Sequence, residues 1–179
     1  MVPHPATIEL ATRLRPLLIG PPGLTLAVAE SMTSGHLQAA IGAIPGASDY
    51  FLGGVTAYTI AGKVRHLGVD VAEAEQTNAV SAAVAAQMAI GACRLFRADM
   101  AIATTGYAEP SPSRGFPQPG AFWAVARCSG GGSVVRHGFA KSGSLERVDM
   151  QEFVAAEALA GLLSYLQTFR SAESNSNFS

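Results

Sequence analysis

Lysine is nearly missing from this sequence. The 179 residues include only two, Lys63 and Lys141, and charged residues of all kinds make up 14%. The net charge is −1, no basic stripe is present, and aromatic residues are few at 7%. Phosphate backbones need clustered Lys and Arg, so a nucleic-acid-binding surface is excluded. No apolar run approaches the ~18 residues of a membrane span. The start of the chain, MVPHPATIEL, has neither the basic head nor the apolar core of a secretory signal, so a cytoplasmic protein without a membrane partner is expected. Two cysteines, Cys93 and Cys128, do not make a disulfide framework. Cys93 sits in an apolar helical run and is expected as a small buried residue. No GxGxxG follows the first strand, there is no P-loop, and no Cys/His spacing fits zinc. Neither a metal nor a cofactor is expected.

What is abundant is apolar surface. Hydrophobic residues reach 49%, which argues for a compact globule with a sizeable core. One domain is expected over residues 1–170, followed by a loose polar tail, SAESNSNFS, over 171–179. The opening stretch reads as a helix with Thr7 as its cap, in which Pro16 marks a kink or an end. LTLAVAE and DMAIATTG read as buried strands, GGVTAYT as a strand rich in β-branched and aromatic residues, and SGHLQAAIGAI as a helix. AGKVRHLGV reads as a short helix or turn. VSAAVAAQMAIGACRLFRAD is a helix buried nearly all round, with Ser81 as its N-cap. AFWAVARC and SVVRHGFA alternate about SGGG as a hairpin, and a last helix runs from about Leu145 to Phe169. Between them, YAEPSPSRGFPQPG (Tyr107 to Gly120) is a loop with four prolines. Early strands separated by helices imply parallel pairing with helices on both faces. The expected fold is a three-layer α/β/α sandwich with a mixed, mostly parallel sheet.

In such sheets ligands bind at the carboxyl ends of the strands. Three ends carry small hydroxyls or glycine: ESMTSG, AYTIAGK and TTGYAEP. In the first, a serine on a turn before a helix lies near free backbone N–H groups that can hold an oxyanion. Ser31 is the nucleophile candidate; the competing local reading, which this stretch alone favours, makes Thr33 or Ser34 an N-cap and Ser31 a turn serine. A serine nucleophile needs a base. His4, His36, His66 and His137 all read as surface residues. A lysine serves instead if desolvation leaves it neutral. Lys63, five residues after Tyr58 and just past the second strand, meets Ser31 if the first two strands are neighbours, with Tyr58 relaying a proton or orienting the lysine. Spacing alone favours a solvated lysine. Thr105 and Gly106 border the same crevice. Arg147, at the start of the last helix, either meets a phosphate or is a surface arginine.

These residues in this order resemble the C-terminal domain of CinA, the competence- and damage-inducible protein family, whose active members are nicotinamide-nucleotide amidases. AESMTSG resembles the family's A-E-S-C-T-G-G, and PGASDYFLGG its P-G-[AS]-S segment. YTIAGK resembles Y-S-N-E-A-K, and KVRHLGV resembles K-x-x-x-L-G-V. NAVS and MAIGACRLFRADMAIATTG follow in the same order, so that the likeness runs over roughly residues 6 to 167. The resemblance implies a stand-alone copy of that domain, often dimeric, and hydrolysis of nicotinamide mononucleotide to nicotinic acid mononucleotide and ammonia. It implies Ser31 as nucleophile, Lys63 as base and Tyr58 as partner, with Thr33, Ser34, Gly35, Ser48, Thr105, Gly106 and Arg147 as substrate-contacting positions. The chain departs from the pattern at Met32, Ser34, Ile60 and Ala61. It also departs in the loop that should read T-G-I-A-G-P-D-G-G, where Glu109 replaces a glycine and brings a carboxylate beside a site meant for a phosphate ester. A catalytically silent or substrate-shifted nucleotide-binding paralogue is therefore the rival reading.

Overall fold

A computed structural model describes residues 2–128 and 132–176. The chain runs α1 (Pro5–Ile19), β1 (Leu26–Glu30), α2 (His36–Gly42), β2 (Phe51–Thr56), α3 (Ile60–Leu67), α4 (Val71–Gln76), α5 (Ala82–Phe96), β3 (Met100–Tyr107), β4 (Gly120–Arg127), β5 (Ser133–Lys141) and α6 (Arg147–Ser176).

The central strands alternate side-chain size rather than polarity. Successive side chains point to opposite faces of a sheet. Leu26, Val28, Met100, Ile102 and Val125 therefore form one face, and α1, α2 and α6 pack on it. Ala27, Ala29, Ala101, Ala103, Ala124 and Ala126 form the other, under α5 with α3 and α4. An all-alanine face lets α5 lie close. The closeness continues outward to α3: a methyl group at Gly91 would come within 2.0 Å of the Leu67 carbonyl oxygen. Only glycine permits this contact. It fixes α3, the helix that carries Lys63, against the core.

The sheet order is β2-β1-β3-β4-β5. β2, β1 and β3 pair in parallel, and β3 with β4 and β4 with β5 pair antiparallel. The layers are as the sequence predicts, but the pairing is evenly mixed rather than mostly parallel, because the hairpin adds two antiparallel ladders to two parallel ones. The predicted caps are partly different. Ser81 caps α5, its Oγ accepting from Val84 N at 3.1 Å. His4, not Thr7, caps α1 through Nδ1, which accepts from Ala6 N at 3.2 Å. Pro16 stands inside α1, which continues to Ile19. The last helix begins at Arg147 and extends to Ser176, through most of the expected tail; residues 177–179, and 129–131 of the expected SGGG turn, lie outside the described residues.

Cys93 and Cys128 are joined as a disulfide across a Cα–Cα separation of 6.0 Å, inside the span such bonds bridge. This corrects the expectation of an unpaired buried Cys93. The turn from α5 into β3 is short, and β4 returns antiparallel to end beside it, with Cys128 N donating to Asp99 O at 2.8 Å. No helix among the described residues is long and apolar enough to cross a membrane.

Candidate active site

β1 ends at Glu30, and the chain turns through Ser31–Gly35 into α2. Five buried strand residues deliver Ser31 to the carboxyl edge of the sheet. β2 is the parallel neighbour of β1, so its own carboxyl end lies alongside, with Glu30 opposite Thr56. Past β2, Thr59 caps α3 by accepting from Gly62 N at 3.0 Å. That cap starts the helix so that Lys63 falls in its first turn facing inward.

Lys63 is 3% exposed and its Nζ lies 2.8 Å from Ser31 Oγ. Its second partner is the backbone carbonyl of Tyr58 at 3.2 Å. Neither partner is charged, so nothing offsets the loss of water around the ammonium. Burial alone lowers Lys63 from 10.5 to about 8. A lysine of that pKa is partly neutral near pH 7–8 and can take a proton from a neighbouring hydroxyl.

Tyr58 orients the lysine, but through its carbonyl. Its ring is 57% exposed and lies beside Arg147, whose guanidinium it helps to hold charged.

The turn after Ser31 is held from beneath. Glu30 is fully buried, and one of its carboxylate oxygens accepts from Gly35 N at 2.9 Å and Leu37 N at 3.2 Å. The other accepts from Gln38 N and Gln38 Nε2, both at 3.0 Å. A carboxylate under the first turn of a helix satisfies its otherwise orphaned N–H groups. Neither Thr33 nor Ser34 is the cap, since Gly35 holds that position in left-handed backbone at φ 107°. From α6, Gln151 Nε2 donates to the Met32 carbonyl at 2.8 Å and ties down the other side of the turn. Ser34 N donates to Ser31 O, and Gly35 N is taken by Glu30. The N–H groups of Met32 and Thr33 have no hydrogen-bond partner among the described residues.

A cleft of ≈ 230 Å³ opens beside the turn, lined by Met32, Tyr58, Gly106, Glu109 and Arg147 among others. Arg147 at the start of α6 donates through Nη2 to Glu109 Oε2 on the loop after β3. Each partner holds the other ionised: the hydrogen bond and charge of Arg147 lower Glu109, and Glu109 raises Arg147.

Of the residues singled out in the sequence, Ser31, Lys63, Tyr58, Gly106 and Arg147 come together at this edge. Gly106 admits the neighbouring strand, since a methyl there would meet Ala121 at 2.4 Å. The hydroxyls of Thr33 and Thr105 are committed inside the protein: Thr33 Oγ1 bonds Thr104 Oγ1 at 2.7 Å, and Thr105 Oγ1 donates to Ala79 O at 2.6 Å. Both residues are fully buried and neither lines the cleft. Ser34 is exposed on the turn. Ser48 lies in a 3-10 turn (Ala47–Asp49) leading into the start of β2, the opposite end of the sheet from Ser31, and within one chain it does not reach the site. His36 is not a surface residue: it is 3% exposed, with Nδ1 3.2 Å from Glu152 Oε1. Among the described residues, no three of His, Cys, Asp and Glu gather as metal ligands.

The chain matches the family model of the CinA C-terminal domain over residues 9–166. A CinA-like protein of Picosynechococcus is 40% identical over 147 residues, covering 82% of this chain and 35% of that protein. A CinA-like protein of Mycolicibacterium vanbaalenii is 42% identical over 114 residues, covering 64% and 27%. The chain thus spans about a third or less of the length of these curated relatives. Among solved structures, the competence/damage inducible protein CihA from Agrobacterium tumefaciens superposes with a TM-score of 0.80 at 29% identity, covering 92% of this chain and 98% of that one. A CinA superfamily protein from Klebsiella pneumoniae gives 0.79 at 28%, covering 90% and 98%. With a family model spanning nearly the whole sheet and its helices, and the Ser31 turn and Lys63 helix both inside it, this chain belongs to the CinA C-terminal domain family.

Proposed function

We propose that the protein is a serine amidohydrolase acting on a carboxamide of the nicotinamide-nucleotide kind, with Ser31 as nucleophile and Lys63 as its base. The observation that carries this reading is the 2.8 Å contact between Ser31 Oγ and a buried Lys63 Nζ with no carboxylate partner. Neutral Lys63 takes the Ser31 proton as Oγ attacks the carboxamide carbon. The negative charge passes to the carbonyl oxygen, which the unpartnered N–H of Met32, a residue lining the cleft, receives. Lys63 returns the proton to the leaving nitrogen, ammonia departs, and water hydrolyses the acyl-serine to a carboxylic acid and free Ser31. The oxyanion role falls to Met32 rather than to Thr33, which is fully buried away from the cleft, or to Ser34 and Gly35, whose N–H groups are already used.

Ammonia release from nicotinamide mononucleotide tests the proposal. Ser31→Ala should lose at least about a thousandfold in kcat/KM while keeping its fold, because the missing hydroxyl is the bond-forming group. Equal rates for wild type and Ser31→Ala would refute the mechanism. The rival reading, a nucleotide-binding paralogue without turnover, draws on the Glu109–Arg147 pair across the cleft. Calorimetric binding of the mononucleotide with no ammonia release from wild type would favour it.

A further inference from the structure

The one cation lining the cleft beside the Ser31 turn is already taken. Arg147 donates to Glu109, and these are the only charged side chains around that cleft. Its lining is therefore electrically balanced. The same two residues also line a second cleft of ≈ 350 Å³, whose other walls include Pro119, Gly143 and Leu145. The ion pair bridges from the loop after β3 to the start of α6 and, with Ala108 and Pro110, borders both spaces. The space on the catalytic side, ≈ 230 Å³, is smaller than the ~300–1,000 Å³ of pockets that enclose drug-sized ligands.

We propose that Glu109 is a specificity-determining residue, which by engaging Arg147 sets the site to take aromatic carboxamides that lack a phosphate ester in preference to their phosphorylated forms. This rests on the amidase reading and names the substrate class within it. A phosphate dianion entering the cleft must either lie beside an ionised carboxylate or displace it from Arg147. Both penalties are absent for a nucleoside without the phosphate or a free aromatic amide. Size points the same way: the small space beside the Ser31 turn suits the smaller ligand. The two side chains are 48% and 59% exposed, so solvent weakens the pair and the preference is of the order of tenfold rather than absolute.

The test compares nicotinamide riboside with nicotinamide mononucleotide, which differ by the phosphate. For wild type and Glu109→Gln, kcat/KM is measured on both. Glu109→Gln should raise the ratio of mononucleotide to riboside kcat/KM about tenfold. An unchanged ratio overturns the proposal. Calorimetry on Ser31→Ala and on Ser31→Ala/Glu109→Gln provides a readout independent of turnover: the second variant should bind the mononucleotide about tenfold more tightly, and the ratio of mononucleotide to riboside affinity should rise by a similar factor. Failure of wild type to hydrolyse either compound counts against the amidase reading. An equal mononucleotide affinity in the two Ser31→Ala backgrounds counts against the role of Glu109, whatever the activity.

Discussion

Replacing Lys63 by methionine should make the protein more stable at neutral pH while removing its activity. Lys63 is lowered from 10.5 to about 8 by burial alone. Between those two values the unfolded chain binds a proton at this site that the folded chain does not. Stability therefore rises with pH across that window and is lowest below it. The gap of roughly two and a half units, at about 1.4 kcal/mol each and discounted for water at the cleft mouth, amounts to about 2–3 kcal/mol. Methionine fills a similar volume without a charge, at the loss of the hydrogen bonds to Ser31 and to the Tyr58 carbonyl, worth about 1 kcal/mol each. Urea unfolding from pH 6.5 to 10.5 provides the assay, read as the difference between variant and wild type so that tyrosines and the other lysine cancel. The variant should lead by up to about 1 kcal/mol at pH 7, and the lead should reverse by pH 10.5. A flat difference across that range would show that Lys63 is not desolvated, and the case for it as a base would fall with it. The kinetic counterpart in wild type is a kcat/KM that climbs about tenfold per pH unit below 8 and levels off above it, since only about a tenth of Lys63 is neutral at pH 7.

Glu30→Gln should lower stability by about 2–3 kcal/mol in urea unfolding, because an amide places an N–H against donors that a carboxylate accepts; an unchanged midpoint would mean the α2 cap is not held as described. Cys128→Ser should cost about 4 kcal/mol under oxidising conditions, the scale set by a closed loop of 35 residues. In excess dithiothreitol wild type and variant should unfold at nearly the same denaturant concentration. A loss of the same size with and without reductant would assign the effect to packing rather than to the bond.

The layered fold was legible because its signals are local. Strand runs of four to eight residues, a long apolar helix behind Ser81, and glycine–proline breaks between them fix the elements and their order. What escaped depends on contacts between distant segments. Gln151 reaches Met32 across 119 positions, and no pattern in either stretch announces the pairing. Cys93 and Cys128 meet only because β4 runs antiparallel to β3. The even mixture of pairings follows from the hairpin adding as many ladders as the crossovers. Thr33 and Thr105 read as site residues because hydroxyls at a strand end look available. The sequence does not say which way such side chains turn, and here both turn inward.

Glu30 is the more instructive omission, because it explains how the motif around Ser31 tolerates change. An acidic residue five positions before the cap residue Gly35 does not fit the spacing of an ordinary cap, yet its buried carboxylate holds the first turn of α2 from below. With that support, the turn holds the Ser31 hydroxyl against Lys63. The Met32 carbonyl anchors to Gln151, and the residue is 3% exposed and packs with Ala121, Met150 and Val154. Exchange of a cysteine for methionine there alters packing and leaves the main-chain anchor in place. Ser34 adopts left-handed backbone at φ 51°, which costs a non-glycine residue about 1–2 kcal/mol, and the turn keeps that shape because Glu30 and Gln151 hold both of its sides. The Ser31–Lys63 contact thus stands alongside these substitutions within the motif. Glu109, outside it, changes the charge that a substrate meets.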